Sequence, residues 1–291
     1  MSSRARLALV ALTAATVCLA GCGSGTTGSA TAALSSTAAT VTSTSAAALP
    51  PLVTTTPPTT PTTATPSTSS TTTPGHGQVV VLDPGHNGGN ATHTAEINAL
   101  VPAGRGQSKA CNTTGTSTNA GYPEHAFNWD VANRVQAELV ADGYKVILTR
   151  PNDTGVGPCV NQRAAIGNDA QAAAVVSIHA DGSDSAGAHG FHVEYSAPAL
   201  NASQGPPSIS LATRLRASMQ AAGFSLANYI GKQGLFGRPD LGGLNLSDRP
   251  TVLIECGNMR DAGDAAVLSS AAGRQRIADA ITAGIVSYLP G

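Results

Sequence analysis

Four side chains that could act together on a hydrolysable bond are spread along the chain. His86, His179 and Glu255 come after short apolar runs, and Glu124 opens a stretch with helical spacing. Two imidazoles and one carboxylate are a ligand set that zinc uses in catalytic sites, where the fourth position is left to water. A second, free carboxylate can take a proton from that water and pass it to the leaving group. The residue types therefore indicate metal-assisted hydrolysis of an amide or ester.

The elements that must position these side chains alternate between strands and helices. Short apolar runs predict strands at residues 79–82, 145–149, 174–178, 191–195 and 251–254. Four-residue spacing and turn residues predict helices at residues 124–142, 161–169, 209–222 and 261–288, the last with a break near Gly273. This alternation is typical of an α/β domain, in which helices flank a mostly parallel central sheet and ligands bind beyond the carboxyl ends of the strands. The order of the strands does not follow from the pattern.

One long polar stretch interrupts this alternation. Residues 87–123, here called the insert, are rich in Gly, Asn and Thr, which predicts a loop between His86 and Glu124. A disulfide between Cys111 in the insert and Cys159 would hold the insert near the cleft, where it could shape substrate access.

Four short motifs, in order, resemble those of one enzyme family. Val81–Gly89 resembles the opening motif of the zinc-dependent N-acetylmuramoyl-L-alanine amidases (amidase type 3) of bacterial cell walls. Glu124 and the residues after it are similar to the family's second motif, Val176–Ala180 to the third and Pro250–Glu255 to the fourth. The resemblance extends from about residue 79 to the C-terminus, and each motif holds one of the four side chains.

The resemblance implies a role for each of these side chains. His86, Glu124 and His179 would hold Zn²⁺, and Glu255 would be the catalytic carboxylate. The family's reaction is hydrolysis of the amide between N-acetylmuramic acid and L-alanine, which removes stem peptides from peptidoglycan. Peptidoglycan or its muropeptide fragments are the expected partners, and we expect a monomer. The alternatives are a zinc peptidase that cuts within the stem peptide and a catalytically silent peptidoglycan-binding module.

Three further side chains are candidates for supporting roles. Asp83 could orient His86 through the second nitrogen of its ring, or it could cap the turn that follows the first strand. Arg238 and Asp240 could contact the muropeptide, or they could form an ion pair within their loop. Structural roles are favoured for His189 and His192, whereas His125 is expected to be a partly exposed neighbour of Glu124 and not a ligand.

The five cysteines fit an exported protein. Cys18 would leave with a signal peptide, and Cys22 would carry lipid. Cys111 and Cys159 lie in loop-like stretches, which favours a disulfide between them, although a bridge from Cys159 to Cys256 stays open. Cys256 follows an apolar strand and is expected to be a buried free thiol.

The N-terminal part predicts export and anchoring. Two arginines precede a 13-residue apolar run that is too short to span a bilayer, and Leu-Ala-Gly then leads into Cys22, which resembles a bacterial lipobox. We therefore predict a lipoprotein signal peptide at residues 1–21, a disordered Thr/Ser/Pro-rich linker at 22–78 and the zinc amidase domain at 79–291. The protein would be anchored to the cell membrane and face the periplasm or cell wall. A plain signal peptide is the alternative.

The charge balance excludes one class of partner. Residues 23–78 contain no Lys, Arg, Asp or Glu, and 49 of these 56 residues are Ser, Thr, Pro, Ala or Gly. Residues 79–291 hold 14 basic and 17 acidic side chains, a net charge of −3. Without a basic surface to attract phosphates, nucleic-acid binding is not expected.

Overall fold

The computed structural model of the protein describes residues 77–289. The predicted signal peptide, Cys22 and nearly all of the predicted linker lie outside the described residues. Within residues 77–289, no helix combines the length and the apolar character that crossing a membrane would require.

A six-stranded sheet forms the centre of the described domain. The described residues form eight strands in all, of which β2 and β3 lie outside this sheet: β1 (Val79–Pro84), β2 (Leu100–Pro102), β3 (Ser108–Ala110), β4 (Lys145–Leu148), β5 (Ala174–Asp181), β6 (His192–Ser196), β7 (Leu235–Arg238) and β8 (Thr251–Asn258). The order in the large sheet is β4-β1-β5-β8-β6-β7, while β2 and β3 form a separate antiparallel hairpin. β4, β1, β5 and β8 are parallel, and β6 runs antiparallel to β8. The predicted α/β domain with a mostly parallel sheet is confirmed.

Helices cover both faces of this sheet. They are α1 (Thr94–Ile97), α2 (Glu124–Ala141), α3 (Val160–Asp169), α4 (Pro206–Ala221), α5 (Gly242–Asn245), α6 (Ala262–Ser269) and α7 (Ala271–Tyr288). The apolar faces of α2, α4 and α7 pack on one side of the sheet and form the main core with buried strand residues such as Leu82, Ile178 and Ile254. On the other side, α3 packs against Val81 and Val175.

Several elements differ from the sequence expectation. The insert is not a plain loop, because it contains α1 and the β2–β3 hairpin, and β7 and α5 were not predicted. These elements span only three or four residues, which is too short for a hydrophobic period to be visible. The C-terminal helix breaks at Ser270 rather than at Gly273, since the Ser270 side chain accepts a hydrogen bond from the Gly273 amide and caps α7.

Strand alternation separates the core from the cleft. Ile178 and Ile254 point into the main core, so their neighbours His179 and Glu255 point to the opposite face. His179 and Glu255 are also direct partners in the register of β5 and β8. The same register that builds the core therefore brings two of the four candidate side chains together.

Candidate metal centre

Three of the predicted side chains form one cluster. His86 Nε2 lies 3.2 Å from Glu124 Oε2, and His179 Nδ1 lies 3.0 Å from Glu124 Oε1. One ligand atom from each of the three residues lies within 4.8 Å of those of the other two. The side chains are 11%, 5% and 15% exposed for His86, Glu124 and His179, so the cluster is sheltered but reachable from the cleft.

Local backbone geometry brings the two rings together. His86 follows β1 with a φ of 58°, a left-handed conformation that turns the chain sharply beyond the strand end. Gly85 passes so close to His179 that a Cβ at this position would lie 2.1 Å from the His179 ring. Only glycine allows this approach, and the two imidazoles meet edge to face with centroids 4.9 Å apart.

Glu124, the first residue of α2, is held by backbone and side-chain donors. Its Oε2 accepts from the Thr116 amide at 2.9 Å, and its Oε1 accepts from the Ala180 amide at 3.2 Å. Burial raises the pKa of this carboxyl, but the charges and hydrogen bonds of His86 and His179 outweigh burial and bring its pKa well below the ordinary value. Glu124 is therefore an anionic, preorganised oxygen donor between two imidazoles.

The second ring nitrogen of His86 contacts the insert and not Asp83. His86 Nδ1 lies 3.0 Å from the Thr113 carbonyl, which can only accept, so Nδ1 donates to it and Nε2 is the ring nitrogen that faces Glu124 and could bind a metal ion. Asp83 instead accepts from the hydroxyls of Thr149 and Ser177 at 2.6 and 2.7 Å. Of the two roles left open for Asp83, direct orientation of the His86 ring was wrong, because Asp83 lies within β1 and faces Ser177 of β5.

Asp83 is linked to the backbone of His86 through the guanidinium of Arg163. Arg163 Nη1 lies 2.7 Å from Asp83 Oδ1, and Arg163 Nη2 donates to the His86 carbonyl at 2.9 Å. Burial raises the pKa of Asp83, but the Arg163 charge and three hydrogen bonds outweigh this and lower its pKa to about 2. The Asp83–Arg163 pair thus holds the backbone of the turn that carries His86.

Glu255 lies beside this cluster without joining it. Its carboxylate lines the same cavity as the cluster, and its Oε2 is buried without a hydrogen-bond partner among residues 77–289. Burial and the neighbouring charges of Glu124, Glu194 and Asp181 raise its pKa well above the ordinary value. A buried carboxylate oxygen that the protein leaves unpartnered is expected where a polar ligand or a cation belongs.

The cluster fits a zinc ion by its donors and their spacing. Ligand atoms about 2.0–2.1 Å from a tetrahedral zinc ion are about 3.3 Å apart, close to the 3.0 and 3.2 Å seen between Glu124 and the two histidines. Two nitrogens and one carboxylate leave a fourth position for water, and the second nitrogen of His86 has the carbonyl partner that is usual for ligating histidines. His86, Glu124 and His179 are therefore suited to hold this ion.

A cavity of about 540 Å³ extends from the cluster across the cleft face of the sheet. Its floor includes Val175, Ser177 and Leu253, and the insert contributes Asn112 to Thr116 as one rim. Cavities of this size take up small organic ligands. The cluster is thus open to a substrate larger than water.

Arg238 and Asp240 form the ion pair that the sequence left open as an alternative. Arg238 Nε and Nη2 donate to the two Asp240 oxygens at 2.7 and 2.8 Å, and Nη1 donates to Glu194 at 2.8 Å. The hydrogen bonds from Arg238 lower the pKa of Asp240 to about 2. Because the guanidinium is occupied by two acids, its contact with a substrate stays a prediction.

Sequence reasoning missed Glu194, which is buried and lines the cavity. The polar residues His192, Glu194 and Ser196 alternate with apolar ones in β6, and this period of two could have placed Glu194 on the cleft face. His192 is also buried there, 3.4 Å from Glu194. His125 pairs with Asp153 at 2.7 Å, away from the cluster.

The cysteines are arranged as the sequence favoured. Cys111 and Cys159 form a disulfide, which links the insert to the start of α3. Cys256 is buried and is the free cysteine of the described part of the chain. Burial raises the pKa of its thiol well above the ordinary value.

Comparison with known proteins places the chain in a family. The model of the N-acetylmuramoyl-L-alanine amidase family (amidase type 3) matches residues 80–287, and the chain belongs to this family of enzymes. It is 50% identical over 213 residues to the N-acetylmuramoyl-L-alanine amidase Rv3717 of Mycobacterium tuberculosis, a match that covers 73% of this chain and 87% of that protein.

Solved structures agree with this assignment. The crystal structure of the N-acetylmuramyl-L-alanine amidase Ami1 from Mycobacterium abscessus matches with a TM-score of 0.71 and 50% identity, covering 74% of this chain and 99% of that one. The amidase AmiC2 of Nostoc punctiforme matches with a TM-score of 0.55 and 25% identity, covering 72% of this chain and 96% of that one. The single α/β domain and the amidase class suggested by the sequence motifs are confirmed.

Proposed function

We propose that this protein is a zinc-dependent amidase that hydrolyses the bond between N-acetylmuramic acid and L-alanine in peptidoglycan. The observation that carries the proposal is the combination of the His86–Glu124–His179 cluster with an unpartnered Glu255 oxygen in the same cavity. Membership of the amidase family supplies the substrate.

Each residue has a distinct part in this reaction. A zinc ion held by His86, Glu124 and His179 would polarise the scissile carbonyl and make water more acidic. Glu255 takes the proton of the attacking water and returns it to the nitrogen of L-alanine as the amide bond breaks. The Asp83–Arg163 pair keeps the His86 turn in place while this happens.

The substitution Glu255→Gln tests this function. It keeps the size of the side chain but removes the base, so we expect hydrolysis of a purified muropeptide to fall about 10²–10⁴-fold while bound zinc stays at one equivalent. Mass spectrometry of the digest identifies the bond. For the wild-type protein, an intact stem peptide with a free L-alanine amine supports the proposal, whereas shortened stem peptides indicate a zinc peptidase. Wild-type protein that binds zinc but releases no product indicates a binding module.

We also propose that the enzyme is exported and anchored by lipid at Cys22. The support is the lipobox-like Leu-Ala-Gly-Cys22 and the charge-free stretch at residues 23–78, which has the composition of a long tether. Cys22→Ala is expected to move the full-length protein from the membrane fraction to the soluble fraction, as measured by immunoblotting. A wild-type protein that is already soluble would contradict the anchor.

A further inference from the structure

The first turn of α3 contacts the His86 turn by two routes. Arg163 donates to the carbonyls of Pro84 and His86, each at 2.9 Å, and so holds the backbone. Cys159, the N-cap residue of α3, is bonded to Cys111, which lies two residues before Thr113. Since the Thr113 carbonyl accepts from His86 Nδ1, this second route ends on the ring itself.

Residues 112–116, here called the ligand-contacting segment, touch two of the three candidate zinc ligands. Besides the contact of Thr113 with His86, the Thr116 amide donates to Glu124 Oε2 at 2.9 Å. The Thr116 carbonyl also accepts from the Glu124 amide at 3.0 Å. The segment has no helix or strand of its own, so its position depends on the anchors at its two ends and on side-chain supports such as Asn90.

The anchor before this segment is centred on Cys111. Its sulfur is bonded to Cys159, its carbonyl accepts from the Val160 amide at 2.9 Å, and its amide donates to the Ala99 carbonyl at 2.8 Å. The last of these contacts lies within the insert, whose helices and strands have only three or four residues. The disulfide is thus the covalent link from the ligand-contacting segment to the rigid α3 helix.

We infer that the Cys111–Cys159 disulfide is a positioning element of the metal centre, which sets zinc affinity by holding the Thr113 carbonyl against His86 Nδ1. A partner at the second nitrogen fixes the tautomer and the orientation of a ligating histidine and makes it a better donor. Loss of such partners costs about 10–100-fold in metal affinity. The inference rests on the proposed function in taking His86 as a zinc ligand.

The test compares zinc affinity in two variants of the full chain. Cys111→Ser with Cys159→Ser removes the covalent link. Arg105→Ala is the matched control, because Arg105 ties the tip of the β2–β3 hairpin to Asn245 and Ser196 without touching the ligand-contacting segment. Competition with a chromophoric chelator should give a zinc Kd about 10–100-fold weaker for the double variant and within about twofold of wild type for Arg105→Ala.

A second variant keeps the disulfide and loosens the same carbonyl. Asn90 Nδ2 donates to the Thr113 carbonyl at 2.7 Å, so Asn90→Ala removes one support of the segment. One hydrogen bond contributes about 1 kcal/mol, and we therefore expect zinc affinity to fall about fivefold. Circular dichroism shows whether the cysteine variant folds. If it does not fold, the zinc affinity of Asn90→Ala tests the inference in its place.

Two results would overturn the inference. One is a folded cysteine variant or an Asn90→Ala variant with wild-type zinc affinity, and the other is an equal loss of affinity in Arg105→Ala, since any tether of the insert would then serve. Failure of the proposed function looks different, because wild-type protein would bind zinc and release no stem peptide. Wild-type protein that binds no zinc would overturn both.

Discussion

Two walls of different construction meet at the candidate metal centre. One is made of strand ends, where His179 of β5 and Glu255 of β8 stand side by side in register. The other is the ligand-contacting segment at residues 112–116, which has no regular structure and touches His86 and Glu124 mainly with backbone atoms. The sheet wall supplies the side chains of His179 and Glu255, whereas the insert wall orients the side chains of His86 and Glu124.

The two walls also differ in how they are stabilised. His179 and Glu255 are fixed by the same strand pairing that buries Ile178 and Ile254 in the core. The insert wall is fixed by one disulfide, a few hydrogen bonds and the absence of a side chain at Gly115. Substitutions in the sheet wall should therefore remove function outright, whereas substitutions in the insert wall should change its degree.

The largest effect is expected from the sheet wall. His179→Ala removes one of the three proposed zinc ligands, and on the proposed mechanism loss of zinc removes several kcal/mol of transition-state stabilisation, which is at least about 10³-fold in rate. Metal analysis of the dialysed protein and muropeptide hydrolysis check this outcome. His189→Ala, which removes a half-buried histidine outside the centre, should keep wild-type zinc content.

Gly115→Ala should have an intermediate effect through the insert wall. Gly115 has a φ of 75°, and a Cβ there would lie 2.8 Å from both Glu124 Oε2 and His86 Cδ2. The methyl group must displace a ligand or the segment, so we expect zinc affinity to fall about 10–100-fold.

Gly121→Ala separates this clash from backbone strain. Gly121 also has a positive φ, of 89°, but a Cβ there meets nothing within 4 Å. Both substitutions cost stability for the left-handed backbone, whereas only the first should weaken zinc binding in the chelator competition. Equal zinc affinities in the two variants would mean that the insert wall does not constrain the ligands.

Asp83→Asn tests the support beneath the His86 turn. The pKa of Asp83 is lowered from 3.8 to about 2, which corresponds to about 2 kcal/mol of folding free energy at neutral pH. Because the folded pKa is depressed, this contribution is present above about pH 4 and is lost as the pH falls towards 2. Urea unfolding at a series of pH values should show the difference between wild type and variant shrinking over this range.

Asp240→Asn should have the smallest effect, although the pKa of Asp240 is also lowered to about 2. The Asp240 side chain is 41% exposed and that of Asp83 only 16%, so solvent screens the Asp240 pairs. We expect a loss below about 1 kcal/mol in urea unfolding, reduced further by salt. A loss as large as that of Asp83→Asn would contradict this ranking.

The sheet wall was largely predictable from the sequence, and the insert wall was not. Residue types at the ends of apolar runs located His86, His179 and Glu255, because parallel strands bring their carboxyl ends to one edge. The Thr113 carbonyl and the Thr116 amide belong to the backbone, which every residue has, so no residue type marks them. For the same reason the pattern offered Asp83, a carboxylate close in sequence, as one candidate partner of the His86 ring, with capping of the turn as the other.

Long-range pairing limited the prediction elsewhere. The antiparallel direction of β6 and the position of β7 at the edge depend on contacts between residues far apart in the chain. The alternation in β6 could have put Glu194 on the cleft face, but its place in the cavity depends on β6 lying beside β8. The disulfide was an exception, because few cysteines were available to pair.

Because His179 and Glu255 are direct partners in the pairing of β5 with β8, activity should be lost when this pairing is lost. A slip of β8 by a single residue against β5 would turn Glu255 towards the hydrophobic interior and Ile254 towards the substrate. No compact state with a displaced strand can therefore keep partial activity. Hydrolysis should be lost in the same denaturant interval as the amide-exchange protection of β5 and β8.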